Sequence, residues 1–238
     1  MKPNLLSHRI SKEVLQWLPV ASFDGEVVTV DSEDKIPAAV EYLSKQKFIG
    51  VDTESRPSFQ RGVKYPTALL QMATEDHCFL FRVNKTGLPK GVTEIFANPK
   101  IRKIGLAFKD DISGLRRLRD FKPQNCVDLQ SVVGKYGILD LGLQKIFAIC
   151  FGKKISKSQQ LTNWENAQLT PEQARYASTD AWATLLIYKE LCETEPLPQK
   201  EAERLRRDNL RQQQEHQREV LATRQNNQNN DNSNTAPA

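Results

Sequence analysis

The sequence predicts one α/β domain, in which helices flank a mixed sheet made of an antiparallel meander plus parallel strands. Its 238 residues are enough for one substantial domain and too few for two comfortable ones. A hydrophobic fraction of 39% suffices for a core, whereas a mean hydropathy of −0.56 leaves much of the chain solvated. Three β-like segments also follow one another, and further strand segments then alternate with helical ones.

The first half of the chain carries the predicted meander. A helical segment, SKEVLQWL, precedes a β-like segment at residues 26–30, and the helical IPAAVEYLSKQ leads to a strand at residues 48–52. Two more strands, at residues 68–73 and 78–83, are joined by the polar turn TEDH. The spacing of the last three strands favours antiparallel pairing.

In the second half, helices predominate. GVTEIFANP is helical, RKIGLA is a strand, and residues 110–119 form the next helix. CVDLQSVVGKYG predicts a short strand followed by a helix, and LGLQKIFAICFG predicts a helix that ends at Gly152. The last core helix, in LTPEQARYASTDAWATLLIYKEL, has a Thr cap, a Pro just inside it and Glu172 early in the helix.

Changes in composition predict four segments. Residues 1–25 form a capping segment; they faintly resemble a mitochondrial presequence, but Glu13 and the scarcity of Ser and Arg argue against one. Residues 26–195 form the main domain. Residues 196–222 are rich in Glu, Arg and Gln and predict a charged helical extension. Residues 223–238 are Asn/Gln-rich, and we expect a disordered tail.

Charge and cysteine usage limit the class of protein. A formal net charge of +5 and a pI near 9.0 fit a protein that meets polyanions, although an ordinary basic protein fits them equally well. The sequence contains no apolar run long enough to cross a membrane and no cleavable leader. The 4 cysteines form no CxxC pair and lie in apolar contexts, which favours buried thiols and a cytoplasmic location.

The segment FIGVDTES places two carboxylates at the end of an apolar run. Asp52 and Glu54 are two residues apart, so on a strand both side chains face the same way. Two such close anions repel each other unless a cation lies between them. The pattern indicates a metal site, but D-x-E alone also fits a strand end with ordinary exposed acids.

The segment KIGLAFKDDISGL offers two adjacent aspartates at the start of a helix. Asp111 shares a helix face with Leu115 and Leu118, whereas Asp110 lies on a more solvent-exposed face. We therefore predict that Asp111 points inward and that Asp110 is a cap or a first-turn acid.

The segment RYASTDAWATLLIY combines a tyrosine and an aspartate on one helix face. Tyr176 and Asp180 are four residues apart, and Ala183 and Ile187 continue the same stripe toward the core. A buried aspartate on an apolar face is costly unless it is paired or bound to a metal. The alternative is a structural aspartate whose carboxylate is hydrogen-bonded or paired within the core.

Together, these three motifs resemble the DEDD exonuclease superfamily in its tyrosine-bearing (DEDDy) branch. The resemblance covers roughly residues 48–192 and is nearest to ribonuclease D-like and Werner-type exonuclease domains. It is supported by YPTALLQMA, KIGLAFKDD and SQQLTNWENAQLTPEQARYASTDAWA, and it implies a ribonuclease H-like core. The Asn-His that often precedes the second motif is missing, and there is no room for the C-terminal domain of ribonuclease D. We therefore expect a small stand-alone exonuclease of a kind common in bacteria.

The resemblance implies a metal-dependent 3′→5′ exonuclease, a phosphodiester hydrolase that releases nucleoside 5′-monophosphates from DNA or RNA. Asp52, Glu54 and Asp180 would share two Mg²⁺ or Mn²⁺ ions about 3.5–4 Å apart. Asp111 would complete the site through water. The hydroxyl of Tyr176 would orient the attacking water, because a phenol with a pKa of about 10 is a poor general base. No membrane partner is implied.

Two loops carry candidate substrate-binding residues. SRPSFQRGVKYP interleaves basic and aromatic side chains that would hold a backbone and stack bases, although a solvated loop is the alternative. A lysine-rich loop before Trp164 would line the path of the strand, and Trp164 itself is expected to serve packing. The candidates are Arg56, Arg61, Lys64, Tyr65, Lys157 and Gln159.

Two other functions fit parts of the sequence. A catalytically inactive nucleic-acid-binding or scaffold protein on the same fold would be free to lose some of the carboxylates and the tyrosine, yet all are present. A ribonuclease H-like endonuclease or integrase would space its acids differently and would lack the Y-x-x-x-D helix.

Overall fold

The structure is a computed structural model that describes residues 1–60 and 62–233. The predicted contact residue Arg61 lies outside the described residues. The chain divides into two units, residues 1–196 and residues 197–238. The division lies next to the predicted end of the main domain.

A mixed sheet forms the centre of the first unit. Its strands are β1 (Glu26–Val30), β2 (Phe48–Ser55), β3 (Thr67–Ala73), β4 (His77–Phe81), β5 (Arg102–Gly105) and β6 (Cys126–Asp128). The six strands lie in the order β1-β4-β3-β2-β5-β6. β2, β3 and β4 form the antiparallel meander, β5 and β6 continue it in parallel, and β1 pairs in parallel with β4. The predicted fold class is confirmed.

Helices cover both faces of this sheet. Those of the first unit are α1 (Lys12–Trp17), α2 (Ile36–Ser44), α3 (Val83–Thr86), α4 (Lys90–Ala97), α5 (Phe108–Leu118), α6 (Leu129–Val132), α7 (Leu143–Phe151) and α8 (Pro171–Glu193). On one face, Val51 and Met72 belong to a core with residues of α2, α4 and α5. On the other face, Leu69 packs in a core with Ala177 and Ala181 of α8.

Gly50 lets α8 lie against the centre of β2. A Cβ atom at this position would lie 2.0 Å from the backbone oxygen of Ala181 and 3.0 Å from Oγ1 of Thr184, so a larger residue would displace the helix. Asp52 lies two residues further along β2, and Asp180 immediately precedes Ala181. The close contact therefore brings the two carboxylates to one place.

A reciprocal cap fixes the start of α8. The Thr170 side chain accepts a hydrogen bond from the backbone N–H of Gln173, whose own side chain accepts one from the backbone N–H of Thr170. Pro171 occupies the first helical position, where no N–H is needed. With the start of the helix fixed, Tyr176 and Asp180 lie one turn apart on its buried face.

The second unit contains α9 (Gln199–Ser233). We predicted a helical extension that ends at residue 222, but the helix continues through residues 223–233, which we had expected to be disordered. Gln is a good helix former and Asn is only moderately unfavourable, and extending an existing helix requires no new nucleus. Residues 234–238 lie outside the described residues. Among the described residues, no helix has the length and apolar composition needed to span a bilayer.

Candidate active site

Three carboxylates converge where β2 meets α8. One ligand oxygen from each of Asp52, Glu54 and Asp180 lies within 4.8 Å of the other two. The alternation of β2 places Asp52 and Glu54 on the same face as Gly50, which is the face that α8 covers. The predicted pairing on the strand and the predicted helical turn therefore contribute to a single cluster.

Burial raises the pKa of each of these carboxyl groups, and it is the largest cause for all three. The pKa of Asp52 rises to about 8, with repulsion from Asp180 adding to the effect of burial. The pKa of Glu54 rises to about 10, and the charges of three neighbouring carboxylates contribute. For Asp180, a hydrogen bond from Tyr176 and the charge of Lys157 offset part of the rise, which reaches about 7. Full ionisation of the cluster therefore requires a compensating cation.

Asp111 approaches the cluster from α5. Its Oδ1 accepts a hydrogen bond of 2.6 Å from the hydroxyl of Thr53, which lies between the two β2 carboxylates. Burial raises the pKa of Asp111 to about 8, and the charge of Asp52 is the next cause. Asp110 is exposed, so Asp111 is the inward member of the pair. Asp111 is not one of the three residues within 4.8 Å, but it is electrostatically part of the site.

A side chain on β6 fixes the start of α5. Asp128 accepts hydrogen bonds from the backbone N–H groups of Ala107 (3.1 Å) and Phe108 (3.0 Å). Ala107 has a left-handed φ of 52°, which is uncommon for a residue with a Cβ. Asp128 holds this turn in place and so determines where Asp111 emerges.

Tyr176 lies directly beside Asp180. Its hydroxyl donates a hydrogen bond to that carboxylate. Burial and the nearby carboxylates raise the pKa of the phenol well above its usual value, so it stays protonated and acts as a donor. Trp164 packs 5.9 Å from the tyrosine ring, centroid to centroid. Because Trp164 is completely buried, it packs against the site and is not available to stack on a base.

The donor set fits hard divalent cations. The cluster consists of carboxylates alone, and oxygen ligands suit Mg²⁺ and Mn²⁺. A bound divalent cation would stabilise the ionised carboxylates of the cluster, which otherwise repel one another. Asp52, Glu54 and Asp180 are therefore the candidate ligands, and Asp111 adds a fourth carboxylate at their edge.

The loop after β2 makes contacts within the protein. Arg56 forms an ion pair of 3.8 Å with Glu165 and lies over the ring of Tyr65, 5.0 Å from its centroid. Lys64 is exposed. Arg56 and Tyr65 also line a cavity of about 370 Å³ between this loop and the segment before α8. The predicted binding loop is thus held beside that segment.

The loop before α8 brings one predicted contact residue to the carboxylates. Lys157 is exposed, and its charge lowers the pKa of Asp180, which places its ammonium group near the cluster. The half-buried Gln159 instead donates a hydrogen bond of 3.5 Å to the hydroxyl of Ser158. Of these two residues, only Lys157 contributes its charge to the pKa of a cluster carboxylate among the described residues.

Sequence reasoning missed three features of the site. Thr53 positions Asp111, and the alternation of β2 already places its side chain on the face opposite Asp52. Phe59 is 84% exposed on the loop after β2, where only the charged residues and Tyr65 had been considered. Gln71 lies opposite Asp52 in the sheet, completely buried, with neither amide atom hydrogen-bonded among the described residues. A lone polar residue in the apolar run ALLQMA was the available signal.

Known proteins are similar to this chain along most of its length. The sequence profile of a family described as 3′-5′ exonuclease matches residues 27–194. The bifunctional 3′-5′ exonuclease/ATP-dependent helicase WRN of Mus musculus is 30% identical over 193 residues, covering 76% of this chain and 14% of that protein. The chain thus spans a small part of the length of this relative.

Solved structures show the same fold. The Nibbler EXO domain of Aedes aegypti has a TM-score of 0.67 at 24% identity, over 78% of this chain and 99% of that one. RNase D of Trypanosoma brucei in complex with RNA U12 has a TM-score of 0.65 at 20% identity, over 74% of this chain and 65% of that one. The predicted ribonuclease H-like fold is therefore confirmed.

Proposed function

The chain belongs to the 3′-5′ exonuclease family, and we propose that it is a metal-dependent enzyme that removes nucleoside 5′-monophosphates from the 3′ end of a nucleic acid. The observation that carries this proposal is the group formed by the half-buried Asp52 and Glu54 and the buried Asp180, within 4.8 Å of one another. We assign the chain to the tyrosine-bearing branch, because Tyr176 precedes Asp180 by one helical turn and donates a hydrogen bond to it.

In this proposal the site holds two Mg²⁺ or Mn²⁺ ions. Asp52, Glu54 and Asp180 are the ligands, and Asp111 completes the site from α5. When bound, such ions supply charge stabilisation at the phosphate and lower the pKa of a water. Support comes from the raised pKa values of the four carboxyl groups, because protons replace the missing countercharge in the metal-free protein.

The chain's own side chains bind and orient the substrate. The protonated Tyr176 donates its hydrogen bond at the edge of the cluster and directs the approach of the attacking water. Thr53 holds Asp111 in position, and Lys157 offers a positive charge to the phosphate next to Asp180. The other proposed strand contacts are Arg56, Arg61, Lys64, Tyr65 and Gln159.

The proposed substrate is a DNA or RNA strand with a free 3′ end. Discrimination between the two depends on contacts to the 2′-hydroxyl group. The described cysteines are all free thiols, which supports a reducing compartment such as the cytoplasm as the proposed location, although only Cys78 is buried as predicted and Cys192 is exposed.

A linear and a circular oligonucleotide of the same sequence test the proposed activity. With Mn²⁺, a 5′-labelled linear strand should shorten one nucleotide at a time, and a 3′-labelled strand should release labelled mononucleotide from the start. The circular strand lacks a 3′ end and should remain intact. Cutting of the circle would identify an endonuclease, and no cleavage of either DNA or RNA would identify a non-catalytic binder.

Replacing Tyr176 by phenylalanine is expected to slow hydrolysis about 10²-fold, because the hydroxyl that orients the water is lost while the carboxylates remain. The matched control is Tyr42→Phe, which removes a hydroxyl that is hydrogen-bonded to Asp76 and His77 beyond the opposite end of β2. Stabilisation by Mn²⁺, measured by thermal unfolding, should be unchanged in both variants. Equal slowing of the two variants would show that the tyrosine has only a structural role.

A further inference from the structure

A second cavity, with several basic residues in its lining, lies at the end of the sheet where β2 and β5 begin. Its volume is about 480 Å³, and we call it the basic cavity. Its lining includes Lys45, Lys47, Lys100 and Arg102, together with Phe48. No Asp or Glu is among the described residues that line it. The basic cavity therefore combines several cations with an aromatic ring, and two acids, Glu75 and Asp76, line an adjoining cavity that shares Lys45, Lys47 and Phe48.

Arg102 is held rigidly in this cavity. Its Nε donates a hydrogen bond of 2.9 Å to Oδ1 of Asn125, and another guanidinium nitrogen donates to the hydroxyl of Tyr188. The guanidinium carbon also lies 5.7 Å from the centroid of the Tyr188 ring. These partners are all neutral, and no carboxylate pairs with Arg102 in the part of the chain that the structure describes. Its positive charge is positioned but not neutralised.

A buried lysine adds to the positive potential behind the cavity. Lys103 is completely buried, and its Nζ donates hydrogen bonds of 2.8 Å to the carbonyl oxygens of both Asn98 and Ile101. Asn98 and Ile101 line the basic cavity. Lys103 has no ion pair among residues 1–60 and 62–233, and carbonyl oxygens satisfy its hydrogen bonds without cancelling its charge.

The lysines at the mouth of the cavity are available to a ligand. Lys47 and Lys100 are exposed and have no ion pair among the described residues. Lys45 pairs with Glu41 at 2.7 Å, but both side chains are largely solvated, so the pair is weak and exchangeable. The ring of Phe48 is 37% exposed beside them.

The basic cavity is separate from the carboxylate cluster. Phe48 is the first residue of β2 and Asp52 the fifth, so a rise of about 3.3 Å per residue separates them by about 13 Å. Phosphates along a B-form strand are about 3.4 Å apart along the axis. A helically stacked strand whose 3′ end is at the carboxylates thus needs about four further nucleotides to bring a phosphate to the cavity, and an extended single strand, with phosphates roughly 6–7 Å apart, needs about two.

We propose that the basic cavity is an accessory site for the phosphate backbone of the nucleic acid, at least about two nucleotides from the 3′ end that is being hydrolysed. The proposal rests on the proposed function for the identity of the ligand. Unpaired cations around a fixed guanidinium suit phosphodiesters, and the exposed phenylalanine suits a sugar or a base. The site holds a long substrate and takes no part in the chemistry.

The test compares Lys47→Glu combined with Lys100→Glu against a control of equal charge change, Lys12→Glu combined with Lys135→Glu. Binding of a labelled 20-nucleotide single strand is measured by fluorescence anisotropy in EDTA over a series of salt concentrations. The cavity variant should bind more weakly. Its plot of log K against log salt should become less steep, with the magnitude of the negative slope reduced by about 0.7 for each lost phosphate contact. The control should retain the wild-type slope.

A dinucleotide substrate, whose single phosphodiester lies at the carboxylates, separates this proposal from the proposed function. It is too short to reach the basic cavity, so its hydrolysis with Mn²⁺ should be equal in the wild type and the cavity variant. An unchanged salt slope in the cavity variant, or the same loss in the control, would overturn the accessory site. Free nucleoside monophosphate can also be added as a competitor. If it displaces the 20-nucleotide strand from the wild type but not from the cavity variant, the accessory site is overturned, because the ligand of the cavity would then be a mononucleotide. Failure of the wild type to hydrolyse any substrate would refute the nuclease activity alone, since the salt slope is measured without catalysis.

Discussion

Asp52→Asn is expected to slow hydrolysis by about 10²–10³-fold and at the same time to stabilise the metal-free protein. Activity falls because the cluster loses a charged ligand at its centre, and one transition-state contact of this kind is worth about 3–4 kcal/mol. Stability rises because the amide removes a buried acid whose pKa is raised to about 8 by burial and by Asp180. A gain of about 1 kcal/mol corresponds to about 2–4 °C in Tm for a chain of this size.

Asp110→Asn is the matched control for this variant. Asp110 is an exposed aspartate next to Asp111, so both its activity and its Tm should stay near those of the wild type. The rate is measured on a 5′-labelled oligonucleotide with Mn²⁺, and the Tm is measured in EDTA. Wild-type activity in Asp52→Asn would refute the catalytic assignment of the cluster. An inactive variant with a lowered Tm would indicate damage to the fold instead.

The second large effect is a pH-dependent stabilisation by divalent cations. The carboxyl groups of Asp52, Glu54, Asp111 and Asp180 all have folded-state pKa values above their unfolded values. Groups of this kind favour the folded state fully below the unfolded pKa, at about pH 4, and that contribution is lost as the pH rises through the folded values of about 7 to 10. In EDTA, the Tm should therefore fall between pH 5 and pH 9.

Mn²⁺ should reverse this fall, because it competes with protons for the same oxygens. At a concentration about 100 times Kd, stabilisation of about 2.7 kcal/mol should raise the Tm by roughly 5–10 °C at pH 8. The rise should be much smaller at pH 5. Thermal unfolding with Mn²⁺ or EDTA across this pH range measures the difference, and Asp52→Asn combined with Asp180→Asn should show no metal response. An equal response at both pH values would contradict the role of these carboxylates as ligands.

The local periodicities in the sequence predicted most of the fold and the main geometry of the site. Asp52 and Glu54 lie on one strand face because side chains alternate along β2, and Tyr176 lies one turn from Asp180 because α8 is helical. The same reasoning distinguished the half-buried Asp111 from its exposed neighbour. These features depend on spacing within a single element, which a sequence shows directly.

Features that depend on contacts between distant elements were not predictable in this way. The hydrogen bond from Thr53 to Asp111 joins β2 to α5, and the ion pair of Arg56 with Glu165 joins two loops. Nothing in either segment alone specifies the partner. The basic cavity was missed for the same reason, because its lysines come from two connections that meet only when β2 and β5 pair.

The contact between Gly50 and Ala181 also has a consequence for biosynthesis. β2 is made early, whereas α8 is near the end of the first unit, so a growing chain exposes two of the acids long before the third exists. Pairing across such a long interval is a late and slow event in folding. A nascent chain consequently has no complete cation site until α8 has left the ribosome and docked on β2.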